Sequence, residues 1–237
     1  MNPQPILEKT VPARLRSHLT LYVIVGLIVC ALSLLVFAQL VDGVSENDFI
    51  VQFDVALANA LHSVATSTST SVFIQISLLG GTILFGWSLV VAFILAVQRR
   101  WLGLVMWVIT IIGGELLNVL LKQVFARPRP TFASPLVIER YYSFPSGHAM
   151  MSFIAYGMLA YLLCLIVKNN ASRLMIVLCA FFIILLIGLS RIALGVHYFS
   201  DVLAGYSVAS LWLVTCITAW RYVHRQRTPA ESQTETV

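Results

Sequence analysis

The chain has 237 residues, of which 59% are hydrophobic and only 11% charged, and its mean hydropathy is +0.90. A soluble domain carries about 25% charged residues, so this composition excludes a water-soluble globular protein and makes membrane embedding the first expectation. The formal net charge of +5 would suit a nucleic-acid partner, but the basic residues sit at the ends of apolar runs and not on one face. The preference for basic residues in cytoplasmic loops of membrane proteins accounts for most of them, and no nucleic-acid partner is expected.

In chain order, residues 1–18 are polar and carry Lys9, Arg14 and Arg16. Leu19 to Val41 is an uninterrupted apolar run, long enough for a bilayer crossing of about 20 residues. Val36-Phe37-Ala38 resembles a signal-peptide cleavage site. Such a peptide has an apolar centre of only about 7–15 residues, so an uncleaved anchor is expected.

Asp42 to Ser71 contains Glu46, Asp48 and Asp54 and no Lys or Arg. Within it Phe49, Ile50, Phe53, Leu57, Leu61 and Val64 recur at helical spacing. The pattern predicts an amphipathic helix, either lying at the membrane interface or packed on the bundle. Thr66 to Ser71 reads as a linker.

Apolar runs at Ser77–Val97, Trp101–Val124, Ala149–Val167, Arg173–Leu194 and Tyr198–Trp220 follow, and a polar tail covers 221–237. The fold expected is all-α: a six-span transmembrane helix bundle over 19–220, with an interfacial amphipathic helix between spans 1 and 2. Residues 1–18 and 221–237 become cytoplasmic segments. Cys30, Cys164, Cys179 and Cys216 all lie inside apolar runs, without a CxxC spacing. They read as small packing residues and not as a disulfide framework or a metal site.

Six spans put Lys9, Arg14, Arg16, Arg99, Arg100, Lys168, Arg173, Arg221, Arg225 and Arg227 on one side, which is cytoplasmic by the positive-inside rule. Lys122, Arg127, Arg129, Arg140 and Arg191 fall on the opposite side, where topology does not explain them. Three segments meet on that side. Lys122 to Pro130 leaves span 3, Pro145-Ser146-Gly147-His148 enters span 4, and Ser190-Arg191 leaves span 5 before His197 and Asp201 enter span 6.

Each feature has an ordinary structural explanation. Lys122 can snorkel to the interface, Arg129 can contact lipid headgroups, and Asp201 can pair with Arg191 or with His197, four residues before it. Converging on one face, they form a set that suits a multiply charged oxyanion. Fixed cations hold it, a turn at a helix start offers N–H groups, and two histidines can share nucleophilic and acid–base roles. A zinc site of His148, His197 and Asp201 conflicts with the surrounding positive charge, and no GxxxxGK[ST] loop is present. An anion transporter is the rival from another class.

Lys-x6-Arg-Pro at 122–130, Pro-Ser-Gly-His at 145–148 and Ser-Arg-x5-His-x3-Asp at 190–201 together resemble the type 2 phosphatidic acid phosphatase superfamily, in order and complete. The resemblance implies roles. His197 would be the nucleophile, Asp201 would orient it, and His148 would serve as acid and then base. Lys122, Arg129, Ser146, Gly147 and Arg191 would bind the phosphate, with no metal or other cofactor. Roles for Glu115, Asn118 and Arg127 stay open. The charge map puts both termini in the cytoplasm and the site toward the periplasm or outside, and the six spans suit a bacterial inner membrane. By the resemblance, the substrate would be a lipid phosphate or diphosphate such as phosphatidylglycerophosphate, undecaprenyl diphosphate or phosphatidic acid. Lipid A dephosphorylation and transfer to another lipid are the alternatives.

Overall fold

The computed structural model describes residues 13–231, with side chains described over 23–223. Residues 1–12 and 232–237 of the two expected cytoplasmic segments lie outside the described residues. So do the side chains of Lys9, Arg14, Arg16, Arg225 and Arg227.

The described chain is helical: α1 Ala13–Ser45, α2 Phe49–Ser63, α3 Ser67–Leu78, α4 Thr82–Val97, α5 Trp101–Phe125, α6 Gly147–Ile166, α7 Asn170–Ala193 and α8 Phe199–Glu231. Among the described residues, six segments are long and apolar enough to cross a membrane: Val23–Ser45, Ser67–Val97, Trp101–Phe125, Gly147–Ile166, Asn170–Ala193 and Phe199–Val223. The six-span bundle with an intervening amphipathic helix is therefore the observed architecture.

Span 2 differs from expectation. Thr66 to Ser71 is not a linker but the start of a helix. Thr66 Oγ1 accepts from Ser69 N–H at 3.1 Å, and Ser69 Oγ accepts from Thr66 N–H at 2.9 Å. This reciprocal box satisfies two amide groups that a helix start leaves open, which is why a Ser/Thr cluster begins a helix here. The span then breaks between Leu78 and Thr82, at Leu79-Gly80-Gly81, and resumes as α4. The Tyr156 hydroxyl of α6 donates to the Leu79 carbonyl at 2.9 Å, giving the broken helix a partner for an open carbonyl.

The core lies between α5, α6 and α8, where Trp107, Met150, Ile154, Met158, Val208 and Leu213 are buried together. In lipid the hydrophobic effect does not drive helices together, so close fit and inter-helix hydrogen bonds do. Trp212 Nε1 donates to the Thr110 carbonyl at 2.9 Å, and Trp107 Nε1 donates to Ser88 at 3.1 Å. Gly114 gives room to Ile154 and Trp212, since a Cβ there would lie 2.6 Å from Ile154 Cδ1.

Helix α2 packs on α1, α7 and α8. Its outward face is exposed (Phe49, 73%), whereas Asp54 and Ala58 on its inward face are buried. A carboxylate thus sits where the helical pattern calls for apolar contact.

Candidate active site

The three segments meet at one end of the bundle. Helix α5 stops at Ala126, whose φ of 44° is left-handed and turns the chain into the loop that carries Arg127 and Arg129. Helix α7 stops before Gly195 (φ 67°), and the N–H groups of Val196 and His197 both donate to the Arg191 carbonyl, at 3.2 and 3.3 Å. The Ser146 N–H donates to the Asp201 carbonyl at 2.9 Å, which ties the start of α6 to the first turn of α8. Backbone hydrogen bonds therefore set the relative positions of His148, Arg191 and His197 before any side chain is considered.

A cavity of about 1010 Å³ opens at this junction, lined by Lys122, Arg129, Gly147, His148, Arg191 and His197. Six of the eight residues singled out from the sequence share its wall. The other two, Ser146 and Asp201, are fully buried behind it. Asn118, Glu115, Arg127 and Glu139 also line the cavity.

His197 is 1% exposed. Its Nδ1 faces Asp201 Oδ2 at 3.4 Å, and its Nε2 faces Arg129 Nη1 at 3.1 Å. Since a guanidinium can only donate, these partners assign the proton to Nδ1 and leave the Nε2 lone pair toward the cavity. Burial pushes the imidazole well below its ordinary proton affinity, and the nearby positive charges of Arg129, Arg191 and Lys122 act in the same direction. Asp201 is held in turn: its Oδ2 accepts from Tyr198 N–H at 2.9 Å and its Oδ1 from Arg127 Nη1 at 2.6 Å.

The three cations are satisfied by groups that a ligand can replace. Lys122 Nζ donates to the Tyr142 carbonyl at 2.5 Å. Arg129 donates to the Tyr141 and Val196 carbonyls at 2.5 and 2.7 Å. Arg191 donates to Ser77 Oγ and to Glu139 Oε1, both at 2.5 Å. Glu139 Oε2 also lies 3.8 Å from Arg129 Nη2, so this carboxylate spans two of the cations. Burial acts to raise its proton affinity, but Arg191 and Arg129 outweigh that and hold it below the ordinary carboxylate range. Burial lowers the proton affinity of Arg129, Glu139 opposes, and Arg191 adds to the lowering.

His148 is the second residue of α6 and faces the break in span 2. A Cβ on Gly81 would lie 2.9 Å from His148 Nε2, so only glycine lets the break approach this ring. On the other side, a Cβ on Gly147 would lie 2.9 Å from Asn118 Oδ1. Asn118 itself is buried and lies 3.5 Å from the Pro145 carbonyl as a donor, bracing the turn. The Ser146 hydroxyl and Arg191 Nε are buried without a hydrogen-bond partner among the described residues.

Several residues here escaped the sequence reading. Glu139 is one acid in a loop of basic residues. Ser77 and Gly80-Gly81 lay in what looked like an unbroken span. Asp54 had a signal, since it falls on the face of Ile50, Leu57 and Leu61, where a charge needs a partner. Its partners, Arg127 and Ser200, are more than seventy positions away. Among the described residues, no group of three His, Cys, Asp or Glu side chains is gathered to hold a metal ion.

Comparison with known proteins places this geometry. Residues 102–225, more than half of the chain, match the PAP2 superfamily. Phosphatidylglycerophosphatase B of Bacillus subtilis (strain 168) is 41% identical over 119 residues, 48% of this chain and 56% of that protein. The chain therefore spans little more than half the length of this relative in sequence. The crystal structure of a transmembrane PAP2-type phosphatidylglycerolphosphate phosphatase from Bacillus subtilis superposes with a TM-score of 0.73 at 30% identity, covering 82% of this chain and 96% of that one. LpxE of Aquifex aeolicus shares the fold, with a TM-score of 0.55 at 24% identity over 70% of this chain and 95% of that one. With its three motifs drawn around one cavity and the matched region enclosing all of them, the chain belongs to the PAP2 superfamily.

Proposed function

We propose that this protein is an integral-membrane lipid phosphatase acting through a phosphohistidine on His197. The observation that carries the reading is the position of His197, with Nε2 turned to a cavity ringed by Lys122, Arg129 and Arg191 and Nδ1 turned to Asp201. Phosphoryl transfer asks mainly for positioning and for stabilisation of spread negative charge, and a rigid set of cations supplies both.

In the first step, the Nε2 lone pair forms a bond to phosphorus while the bond to the lipid oxygen breaks. That oxygen leaves with a proton from His148. Lys122, Arg129 and Arg191, with the Gly147 N–H and the Ser146 hydroxyl, hold the phosphoryl oxygens. In the second step, water attacks the phosphorus and gives a proton to His148. The N–P bond breaks, its electron pair returns to Nε2, and inorganic phosphate is released. Asp201 keeps the proton on Nδ1 and stabilises the imidazolium of the intermediate. No metal is required by this scheme.

The substrate reading follows from the relatives, two of which carry phosphatidylglycerophosphate phosphatase activity in their names. Phosphatidylglycerophosphate is the first choice, with undecaprenyl diphosphate and phosphatidic acid as further substrates. The cavity also borders Phe85 and Val119, apolar residues of α4 and α5 that suit a lipid tail approaching from the bilayer. The basic residues at the far ends of the spans support cytoplasmic termini and a site on the periplasmic or outer side of a bacterial inner membrane.

The test is phosphate release by purified protein from a panel of lipid phosphates and diphosphates. Activity should be insensitive to EDTA, inhibited by vanadate and abolished in His197→Ala. Retained release in that variant overturns the nucleophile assignment. Loss with EDTA that zinc restores overturns the metal-free scheme.

A further inference from the structure

Asp54 lies on α2, outside the matched family region, and its side chain is fully buried. It accepts from Ser200 N–H at 3.0 Å, from the Ser200 hydroxyl, and from Arg127 Nη2 at 2.9 Å. Arg127 uses its other nitrogen, Nη1, for Asp201 Oδ1 at 2.6 Å and Ser200 Oγ at 2.7 Å, and its guanidinium stacks 4.3 Å from the centre of the Tyr198 ring. One guanidinium therefore joins two carboxylates on separate helices, and the second carboxylate faces His197.

We propose that Asp54 is a positioning residue for the phosphoryl-transfer reaction: through Arg127 it restores a net negative charge behind His197. This inference rests on the phosphatase reading above. The charge arithmetic supplies the reason. Arg127 at 2.6 Å would by itself cancel the charge of Asp201. With Asp54 on the opposite edge of the guanidinium, the trio carries a net charge of minus one. Attack by Nε2 leaves the His197 ring positive, so ring and trio together end neutral. In a water-excluded site such preset charge is felt more strongly than in water. The other charged groups facing His197 oppose this: Lys122 from α5, Arg129 from the following loop and Arg191 from α7 add positive charge, His148 from α6 adds to it when protonated, and Glu139 offsets part of it. Asp201, supported by Asp54, is the counterweight.

The alternative role is structural. Asp54 receives the Ser200 N–H in the first turn of α8 and so caps that helix from a neighbouring one. Asp54→Asn separates the two roles, because asparagine caps as well as aspartate but carries no charge. In the purified full chain, this variant should lose about 10- to 100-fold in kcat, by analogy with the cost of removing an outer partner behind a metal-ligating histidine. KM should stay within about twofold, since substrate contacts are untouched. The acid limb of kcat/KM should move to lower pH by at least about half a unit, as the protonated ring loses its counter-charge. Asp54→Glu should recover part of the rate and most of the limb.

An unmoved acid limb overturns the inference, whether or not kcat falls, because a cap alone does not alter the titration of His197. Should the Asn variant fail to fold, Asp54→Asn with Arg127→Gln removes both buried charges and leaves Asp201 unneutralised. Its acid limb should lie at or above the wild-type position, and one lying below overturns the inference. Wild-type protein that releases no phosphate refutes the phosphatase reading instead, so the two failures are told apart.

Discussion

Glu139 Oε1 lies 2.5 Å from Arg191 Nη2, and its other oxygen lies 3.8 Å from Arg129. A carboxylate of the protein thus bridges two of the cations proposed to hold phosphate. Any oxyanion that binds them must first displace Glu139, which costs part of the binding energy. Glu139→Gln keeps the shape and removes the charge. The expected result is inhibition by inorganic phosphate or vanadate that tightens by about 5- to 30-fold, matching about 1–2 kcal/mol for a partly exposed charge-assisted contact. Inhibition constants measured at fixed substrate check this, and weaker inhibition in the variant refutes the competition.

The same contact has a pH signature. Glu139 is held below the ordinary carboxylate value of 4.5, because Arg191 and Arg129 outweigh burial. The folded-state value lies below the unfolded one, so the contact contributes its full stability above about 4.5. That contribution is lost as pH falls through the lower, folded value. Thermal denaturation of wild type and Glu139→Gln should therefore differ at neutral pH and converge below pH 4.5.

For His197 the direction of the linkage follows from burial. The ring resists protonation, burial being the larger cause and Arg129 the next. It stays neutral, with Nε2 unprotonated, well below the ordinary value of 6.5. The acid limb of kcat/KM should lie below 6.5, and an acid limb above it is incompatible with this environment. Unfolding exposes an imidazole that takes up a proton below 6.5, so His197 costs nothing above that pH and lowers stability as the solution is acidified below it.

Most of the residues gathered at the cavity were legible because they are charged and lie at span ends, where a hydrophobic background exposes them. Lys122, Arg129, His148, Arg191, His197 and Asp201 stand out for that reason. The supporting residues were harder to see. Thr66 to Ser71 looked like a linker because Ser and Thr serve both turns and helix caps, and only the geometry of Thr66 and Ser69 decides between them. Arg127 lacked a role because its partners, Asp54 and Ser200, come from other helices. Glu139 sits in a loop without periodicity, so nothing along the chain ties it to Arg191, fifty-two positions later.

Arg129 joins the proposed phosphate cradle to His197, the proposed nucleophile, since Nη1 lies 3.1 Å from His197 Nε2 and 2.7 Å from the Val196 carbonyl. Lysine keeps the charge but cannot reach both partners and a phosphate in one plane. Arg129→Lys should lower kcat/KM by about 10²–10³, the cost of losing one oriented donor to a developing oxyanion. Most of the loss should fall in kcat. A change confined to KM would make Arg129 a binding residue without a share in the transition state.

The break in span 2 offers the sharpest steric test. A Cβ at Gly81 would lie 2.9 Å from His148 Nε2, closer than real side chains approach. Either the ring or the break must move by several tenths of an ångström. Alanine is also a better helix former than glycine by about 1 kcal/mol, which favours closing the break into a continuous helix. Both effects displace His148, the group assigned to proton transfer. Gly81→Ala should lower kcat by about 10²-fold, within the range for losing a positioned acid. Binding of vanadate, held by Lys122, Arg129 and Arg191, should change far less. A leaving group of low pKa needs little protonation in the first step, so kcat/KM for an aryl phosphate, which reports that step alone, should stay near the wild-type value in the variant. Equal losses on lipid and aryl phosphates would mean that Gly81 supports the cradle as a whole and not His148.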